Sequence, residues 1–159
     1  QTRNKTPTNW WGFCCVSGLL WEMCVLEWFE YMFKDFLFWH KEKTEIETSK
    51  KRPFFHEREI WFCTMGNNIG YEQDGRGEKF LRPIVILKKF NNEVLWAVPL
   101  TTKAKKGKYY FSFSVNNEES IAILSQLRLV DAKRLQYKIG NITNEEFVIL
   151  KTKIRQLIV

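Results

Sequence analysis

The chain has 159 residues, a usual length for one domain, and its 45% hydrophobic and 27% charged residues are ordinary for a globular protein. Its 25 Lys and Arg against 18 Asp and Glu give a formal net charge of +7, which indicates an anionic partner, either nucleic acid or an acidic protein. The four cysteines include no Cys-x-x-Cys pair, which excludes a disulfide framework and favours reduced thiols in the cytoplasm. With two histidines they make no recognised ligand spacing, so neither a metal nor a cofactor is expected.

Residues 1–31 differ in character from the rest of the chain. Their charge-free part runs only from Trp10 to Trp21, whereas a membrane span needs about twenty predominantly apolar residues. No Ala-x-Ala-like cleavage site of a signal peptide follows. The chain begins with Gln, and Met32 opens a different pattern. We therefore expect residues 1–31 to be sequence upstream of a natural start at Met32, or else a hydrophobic extension, and we expect no membrane attachment.

Residues 32–52 are predicted to form a short helical lead-in to the main domain, residues 53–159. The helix ends before Pro53, because the residue preceding a proline disfavours helix. Residues at helical spacing are predicted to form its apolar side: Phe33, Phe36, Leu37 and His40, widened by Phe38 and Trp39.

The main domain contains apolar runs separated by polar loops, which predicts short strands. The predicted strands cover residues 58–65, 83–90, 94–100, 109–115 and one or two pieces of 120–131. Pro83 is placed at the start of its strand, where no ladder donor is needed. In the fourth strand, every second residue is apolar, so these side chains share one face of the strand: Tyr109, Phe111, Phe113 and Val115.

A helix is predicted at the C-terminal end. Thr143 and Glu146 have the spacing of a capping box. A buried stripe follows at steps of three and four residues: Phe147, Leu150, Ile154 and Leu157. Short antiparallel strands followed by one helix predict a small, strongly curved β-barrel, in a fold that is mainly β with terminal helices.

Three stretches in order resemble the MazF/PemK family of toxin endoribonucleases, from about Met32 to Val159. They are "REIWFCTMGNNIGYEQDGRGEKFLRPIVILKKF", "VPLTTKAKKGKYYFSF" and "SQLRLVDAKRLQYKIGNIT". The lead-in "HKEKTEI…FFHEREIW" is similar to the branch with a short helix before the barrel.

The resemblance implies an SH3-like barrel with a C-terminal helix, usually a homodimer. It implies metal-independent cleavage of single-stranded RNA in the cytoplasm. It also implies a small acidic antitoxin that lies across the RNA groove.

The family's functional positions transfer to residues of this chain by motif. The Glu-Gln of the first long loop matches Glu72 and Gln73, and the Arg-Pro that opens the second strand matches Arg82 and Pro83. The Thr that ends the third strand matches Thr101, with Thr102 as a stand-in, and the Gln-x-Arg of a later strand matches Gln126 and Arg128. The resemblance makes Arg82 the catalytic arginine.

The expected chemistry is attack of the neighbouring 2′-hydroxyl on the phosphate. A guanidinium suits phosphate oxygens, so Arg82 and Thr101 are expected to stabilise the transition state, with Glu72 as proton acceptor or as a loop-pinning group. Basic residues near the site are expected to hold backbone phosphates: Arg76, Lys79, Lys103, Lys105, Lys106 and Lys108. Tyr71 and Phe80 are candidates for stacking on bases.

Two departures leave alternatives open. Glu57, Arg58 and Glu59 stand where many members have Arg-Gly-Asp before the first strand. The spacer between Gln73 and Arg82 is long, so either Arg76 or Arg82 faces the phosphate, and we favour Arg82 because strand and proline fix it. The competing functions are a non-catalytic basic barrel that binds nucleic acid or protein, and a gyrase-directed toxin of the same fold.

Overall fold

The computed structural model describes residues 34–115 and 118–158. The predictions for residues 1–31, the start at Met32 and the place of Phe33 on the apolar side of the helix lie outside these ranges. Within them, no helix combines the length and the hydropathy that a membrane span requires.

Seven antiparallel strands form one curled sheet, a half-barrel, with a helix at each end of the described chain. The order along the sheet is β4-β5-β3-β2-β1-β7, and β6 pairs separately with β3. The elements are α1 (Phe36–Thr48), β1 (Glu59–Thr64), β2 (Leu81–Lys89), β3 (Val94–Thr101), β4 (Tyr110–Val115), β5 (Glu118–Ile123), β6 (Arg128–Asp131), β7 (Leu135–Asn141) and α2 (Asn144–Ile158). The predicted mainly β fold with terminal helices is confirmed.

The central strand β2 is buried on both faces, as its continuous apolar run predicts. Val85 and Leu87 join a core cluster that includes Phe147, Leu150 and Ile154 of α2. Ile84 and Ile86 join a second cluster with Cys63, Leu95 and Leu135. The predicted helical stripe is confirmed, and so is the capping box, because the Thr143 hydroxyl accepts the Glu146 N–H at 3.2 Å.

The sequence prediction is wrong about the apolar side of α1. Leu37 is 87% exposed, Phe36 and His40 are also exposed, and Trp39, 8% exposed, is the buried residue of this helix. Four consecutive apolar side chains, Phe36 to Trp39, cover the whole circumference of a helix, so their spacing does not select a face.

Two details of the strands also differ from the prediction. The strand β2 begins at Leu81, so Pro83 is its third residue and lies opposite Phe62 of β1. The strand β7 was not predicted, because its mixed sequence LQYKIGN buries only its first residue fully. It lies at one end of the sheet order, next to β1.

Candidate functional site

Residues 65–80, which we call the site loop, connect β1 to β2 and close on themselves. At the base, the Met65 N–H donates to the Phe80 carbonyl at 2.9 Å. One step further in, the Gly75 N–H donates to the Gly66 carbonyl at 2.8 Å. Arg76 then forms an isolated antiparallel bridge with Leu81. These bonds make the site loop a folded lobe that extends the β1–β2 hairpin.

Two residues of the site loop have special backbone requirements. A Cβ on Gly75 would lie 1.7 Å from the Phe80 carbonyl oxygen, so only glycine fits there. Phe80 has φ of 48°, a left-handed conformation that is rare for a bulky residue and must be held by its surroundings. The site loop therefore has one tightly specified shape.

Arg82 is the second residue of β2 and is only 9% exposed. Two backbone carbonyl oxygens hold its guanidinium. Nε donates to the carbonyl of Asp74 in the site loop. Nη1 donates to the carbonyl of Leu100 in β3 at 3.1 Å. Among the described residues, Nη2 has no hydrogen-bond acceptor. The guanidinium is thus fixed in position without a carboxylate hydrogen-bonded to it.

Burial and a neighbouring cation both act on the charge of Arg82. Burial lowers the pKa of the guanidinium, and the neighbouring Arg76 lowers this pKa further, while Asp74 acts in the opposite direction. An arginine nevertheless keeps its proton in a protein. The burial and the second cation therefore raise the free energy of a charge that an anion, such as a phosphate, would compensate.

Thr101 is adjacent to this arginine through the backbone. It ends β3, and it directly follows Leu100, the carbonyl acceptor of Arg82. Its hydroxyl oxygen accepts the Lys103 N–H at 3.2 Å. Because that bond uses a lone pair, the hydroxyl hydrogen remains to be donated. The structure thus holds the Arg82 guanidinium at the carbonyl of the residue that precedes Thr101.

A second group of predicted residues ties the tip of the site loop to the turn between β5 and β6. The Glu72 carboxylate lies 3.8 Å from the Arg128 guanidinium and also accepts the Ile69 N–H at 3.3 Å. Gln126 Nε2 donates to the Tyr71 carbonyl at 3.3 Å. Gln126 lies in a 3-10 turn, Leu124–Gln126, and not in a strand as predicted.

The remaining predicted residues are distributed around these two groups. The Gln73 carbonyl accepts from the Asn68 side chain at 2.9 Å, so this residue helps to shape the loop. Arg76 and Lys79 are exposed on the site loop. The side chains after β3 form an exposed basic segment: Thr102, Lys103, Lys105, Lys106 and Lys108. Of the two stacking candidates, Tyr71 is 98% exposed, whereas Phe80 is buried and cannot present its ring to a base.

Sequence reasoning missed the carbonyl oxygens of Asp74 and Leu100, because every residue carries a carbonyl and no pattern marks the ones that accept from a side chain. It also missed the contact of Trp39 with the site loop. The one sequence signal of that contact is the glycine at position 66, because a Cβ there would lie 2.2 Å from the Trp39 ring.

Together, these features describe a small half-barrel protein whose candidate site is centred on an enclosed arginine. The sequence model of the family described as PemK-like, MazF-like toxin of type II toxin-antitoxin system matches residues 56–158. The chain belongs to this family. Curated protein sequences provide no significant match.

Solved structures share the fold at low sequence identity. MazF from Deinococcus radiodurans superposes with a TM-score of 0.56 at 16% identity, over 69% of this chain and 98% of that one. Mycobacterium tuberculosis toxin MazF-mt6 gives 0.50 at 15% identity, over 64% and 96%. An endoribonuclease in complex with its cognate antitoxin from a Mycobacterial species gives 0.50 at 14% identity, over 67% and 94%.

Proposed function

We propose that this toxin is an endoribonuclease that cleaves single-stranded RNA without a metal ion, by attack of the 2′-hydroxyl on the adjacent phosphate. The observation that carries the proposal is the Arg82 guanidinium, which is held by the backbone carbonyls of Asp74 and of Leu100, the residue before Thr101. Family membership and the likeness to an endoribonuclease support it.

In the proposed reaction, a bond forms between the 2′-oxygen and phosphorus, and the bond from phosphorus to the 5′-oxygen breaks. The products are a 2′,3′-cyclic phosphate and a free 5′-hydroxyl. Negative charge develops on the non-bridging oxygens, where Arg82 Nη2 and the Thr101 hydroxyl donate hydrogen bonds. Preorganised donors aimed at developing charge are usually the largest catalytic contribution. Because carbonyl groups fix the guanidinium before RNA arrives, little reorganisation is needed.

Glu72 is the proposed acceptor of the 2′-hydroxyl proton. Its carboxylate is exposed, and Arg128 at 3.8 Å holds it only loosely, so one oxygen can turn toward a substrate. Water gives a proton to the 5′-oxygen, and the hydroxide that remains takes the proton from Glu72, so protons and charges balance. Gln73, Gln126 and Arg128 would face the RNA on this side of the site.

The exposed basic side chains bind the RNA backbone in this proposal: Arg76, Lys79, Lys103, Lys105 and Lys106. Such contacts give affinity with little sequence choice. We also propose a homodimer in the cytoplasm, neutralised by a small acidic antitoxin that binds the same basic side chains. The Deinococcus MazE–MazF complex and the Mycobacterial antitoxin complex support an antitoxin partner.

The test is cleavage by the full chain of a long unstructured RNA in excess EDTA, with the product ends mapped. We expect discrete cuts with cyclic phosphate ends. A matched RNA with a single 2′-deoxy nucleotide 5′ to a mapped cut should resist cleavage there and nowhere else. Intact RNA in the presence of folded protein would contradict the proposal and would favour a non-catalytic barrel or a gyrase-directed toxin.

A further inference from the structure

We propose that Trp39 is a positioning residue, which holds the two ends of the site loop and thereby fixes Arg82 for the reaction proposed above. The inference depends on that proposed function for its activity readout only. Trp39 lies outside residues 56–158, the part that the family model matches. The helix that carries it therefore precedes the part of the chain that the family model matches.

The Trp39 ring contacts both ends of the site loop. At the first end, a Cβ on Gly66 would lie 2.2 Å from the indole, so this glycine allows the ring to lie directly against the backbone. At the other end, the ring meets Phe80 edge-on, with 5.3 Å between centroids. Phe38 adds a second contact with Phe80 at 5.7 Å.

Contacts with the barrel fix the ring and its helix from other directions. The Arg134 guanidinium lies over the indole, 5.5 Å from its centroid. At the end of α1, Lys133 Nζ donates to the Glu47 carbonyl at 2.6 Å and lies 3.5 Å from the Glu47 carboxylate. The helix is therefore attached to the barrel near each of its ends. These contacts hold the Trp39 ring in one defined position.

The left-handed conformation of Phe80 explains what Trp39 does there. A bulky residue with φ of 48° persists only when its surroundings hold it. Trp39 packs on the Phe80 side chain, while the Phe80 carbonyl accepts the Met65 N–H. Without the indole, the Phe80 ring keeps its contact with Phe38 but loses the edge-on contact, so Phe80 can relax to an ordinary φ.

Relaxation of Phe80 reaches Arg82 along a short path. Leu81 separates the two residues, and its backbone is bonded in both directions to Arg76. Asp74, the acceptor of Arg82 Nε, belongs to the same lobe. A shift of the lobe therefore moves the guanidinium relative to the Leu100 carbonyl and to Thr101. A misplacement of about 1 Å at a reacting group can cost on the order of 10²-fold in rate.

The experiment compares Trp39→Ala and Trp39→Phe with Leu150→Ala in the full chain. Leu150 is fully buried in α2 and belongs to the core cluster that contains no site-loop residue, so its truncation destabilises without touching the loop. Two properties are measured for each protein. One is amide hydrogen exchange of Met65, Gly75 and Leu81, whose N–H groups close the site loop. The other is kcat and KM for RNA cleavage.

For Trp39→Ala we expect the three amides that close the site loop to exchange at least about tenfold faster than in the wild type, while strand amides other than that of Leu81 are unchanged. We expect kcat to fall on the order of 10²-fold with KM little changed. Trp39→Phe, which retains a ring against Phe80, should restore most of both. Leu150→Ala should accelerate exchange everywhere together and keep its kcat per folded molecule.

Loop amides in Trp39→Ala that exchange no faster than those of the wild type would overturn the proposal. A kcat that falls only with the folded fraction would overturn it as well. If Trp39→Ala does not fold, Trp39→Leu retains the apolar bulk without the ring and takes its place. If the wild-type chain does not cleave RNA, the proposed function fails, and the exchange measurement still decides whether Trp39 holds the loop.

Discussion

Arg82 donates from Nη1 to the carbonyl oxygen of Leu100, 3.1 Å away, at the point where pairing between β2 and β3 stops. The last pair of that ladder is Ile84 with Pro99. The next position on β2 is Pro83, which has no N–H to donate. The Leu100 carbonyl is thus left to a side chain, and the preceding arginine supplies the donor. This is the structural reason for an Arg-Pro pair where the chain enters the core.

Pro83→Ala tests this explanation. The new N–H would donate to the Leu100 carbonyl and compete with Arg82 for it. We expect the cleavage rate to fall by roughly tenfold, because the catalytic guanidinium would be held less firmly. Stability should change little, because a ladder bond gained, about 0.5–1.5 kcal/mol, offsets the unfolded-state entropy restored by removing proline, about 0.4–1 kcal/mol.

Kinetic and thermal-unfolding measurements on Pro83→Ala check both parts. Ile84→Val, a small change at the next residue of β2, is the control. Unchanged kcat in Pro83→Ala would mean that the missing N–H has no role in the site.

Gly75→Ala should distort the site loop. The added Cβ would meet the Phe80 carbonyl at 1.7 Å, which is far inside contact distance, so the lobe must open. We expect a loss of about 1–3 kcal/mol in the free energy of unfolding, the usual range for overpacking, together with a loss of cleavage.

Gly77→Ala is the matched control for Gly75→Ala. It places a Cβ in the same loop where nothing lies within 4 Å, at a φ of +67°. It should cost only about 1 kcal/mol, the strain of a left-handed alanine. Equal effects from the two substitutions in urea unfolding would show that the close approach at Gly75 has no special importance.

The basic segment after β3 should set the salt dependence of RNA binding. For single strands, log K falls with log salt by about 0.7 per phosphate contacted. Replacing Lys103, Lys105 and Lys106 with Ala should therefore reduce the slope by about 2. A 2′-O-methyl RNA, which lacks the nucleophile, allows titration without cleavage. Lys153→Ala, on the exposed side of α2, is the control, and an unchanged slope in the triple variant would place the RNA elsewhere.

Glu59 should contribute to stability in a pH-dependent way. Burial raises the pKa of its carboxyl, but hydrogen bonds from Lys138, Trp61 and His56 outweigh this and lower the pKa to about 2. A carboxyl with a depressed pKa in the folded state stabilises the fold above its unfolded pKa, 4.5, and loses that contribution as the pH falls toward 2.

Glu59→Gln measures this contribution. The variant should be less stable than the wild type at pH 7, and the difference should shrink between pH 4.5 and 2. Urea unfolding at several pH values checks it, with the exposed Glu145→Gln as the control. A difference that stays constant across this range would show that the carboxylate charge contributes nothing.

The sequence was informative where one pattern has one structural solution. The uninterrupted apolar run of β2 has to be buried on both faces, and the stripe from Phe147 to Ile154 has to face a core. The pairing of Arg82 with Thr101 could be proposed because a motif resemblance marked both residues. In the structure, Arg82 donates to the Leu100 carbonyl, and Thr101 is the next residue along the chain.

The sequence was uninformative where the determining contacts are backbone or long-range. No local pattern reveals that the carbonyls of Asp74 and Leu100 hold Arg82. The aromatic cluster of α1 has no preferred face until the barrel offers Gly66 and Phe80, so Trp39 could not be singled out. The strand β7 has weak apolar alternation, and its existence depends on pairing with β1.

The central claim is that Arg82 performs the chemistry and Arg76 does not, and one comparison tests it most directly. Single-turnover cleavage in EDTA is measured for the wild type, Arg82→Lys, Arg82→Ala, Arg76→Ala and, as a surface control, Arg155→Ala, each with its fold checked by circular dichroism. Removing a preorganised donor costs about 10²–10³-fold or more, so both Arg82 variants should lose cleavage at saturating RNA. Arg76→Ala should weaken binding and keep its rate at saturation. A folded Arg82→Ala that cleaves at the wild-type rate would contradict the account.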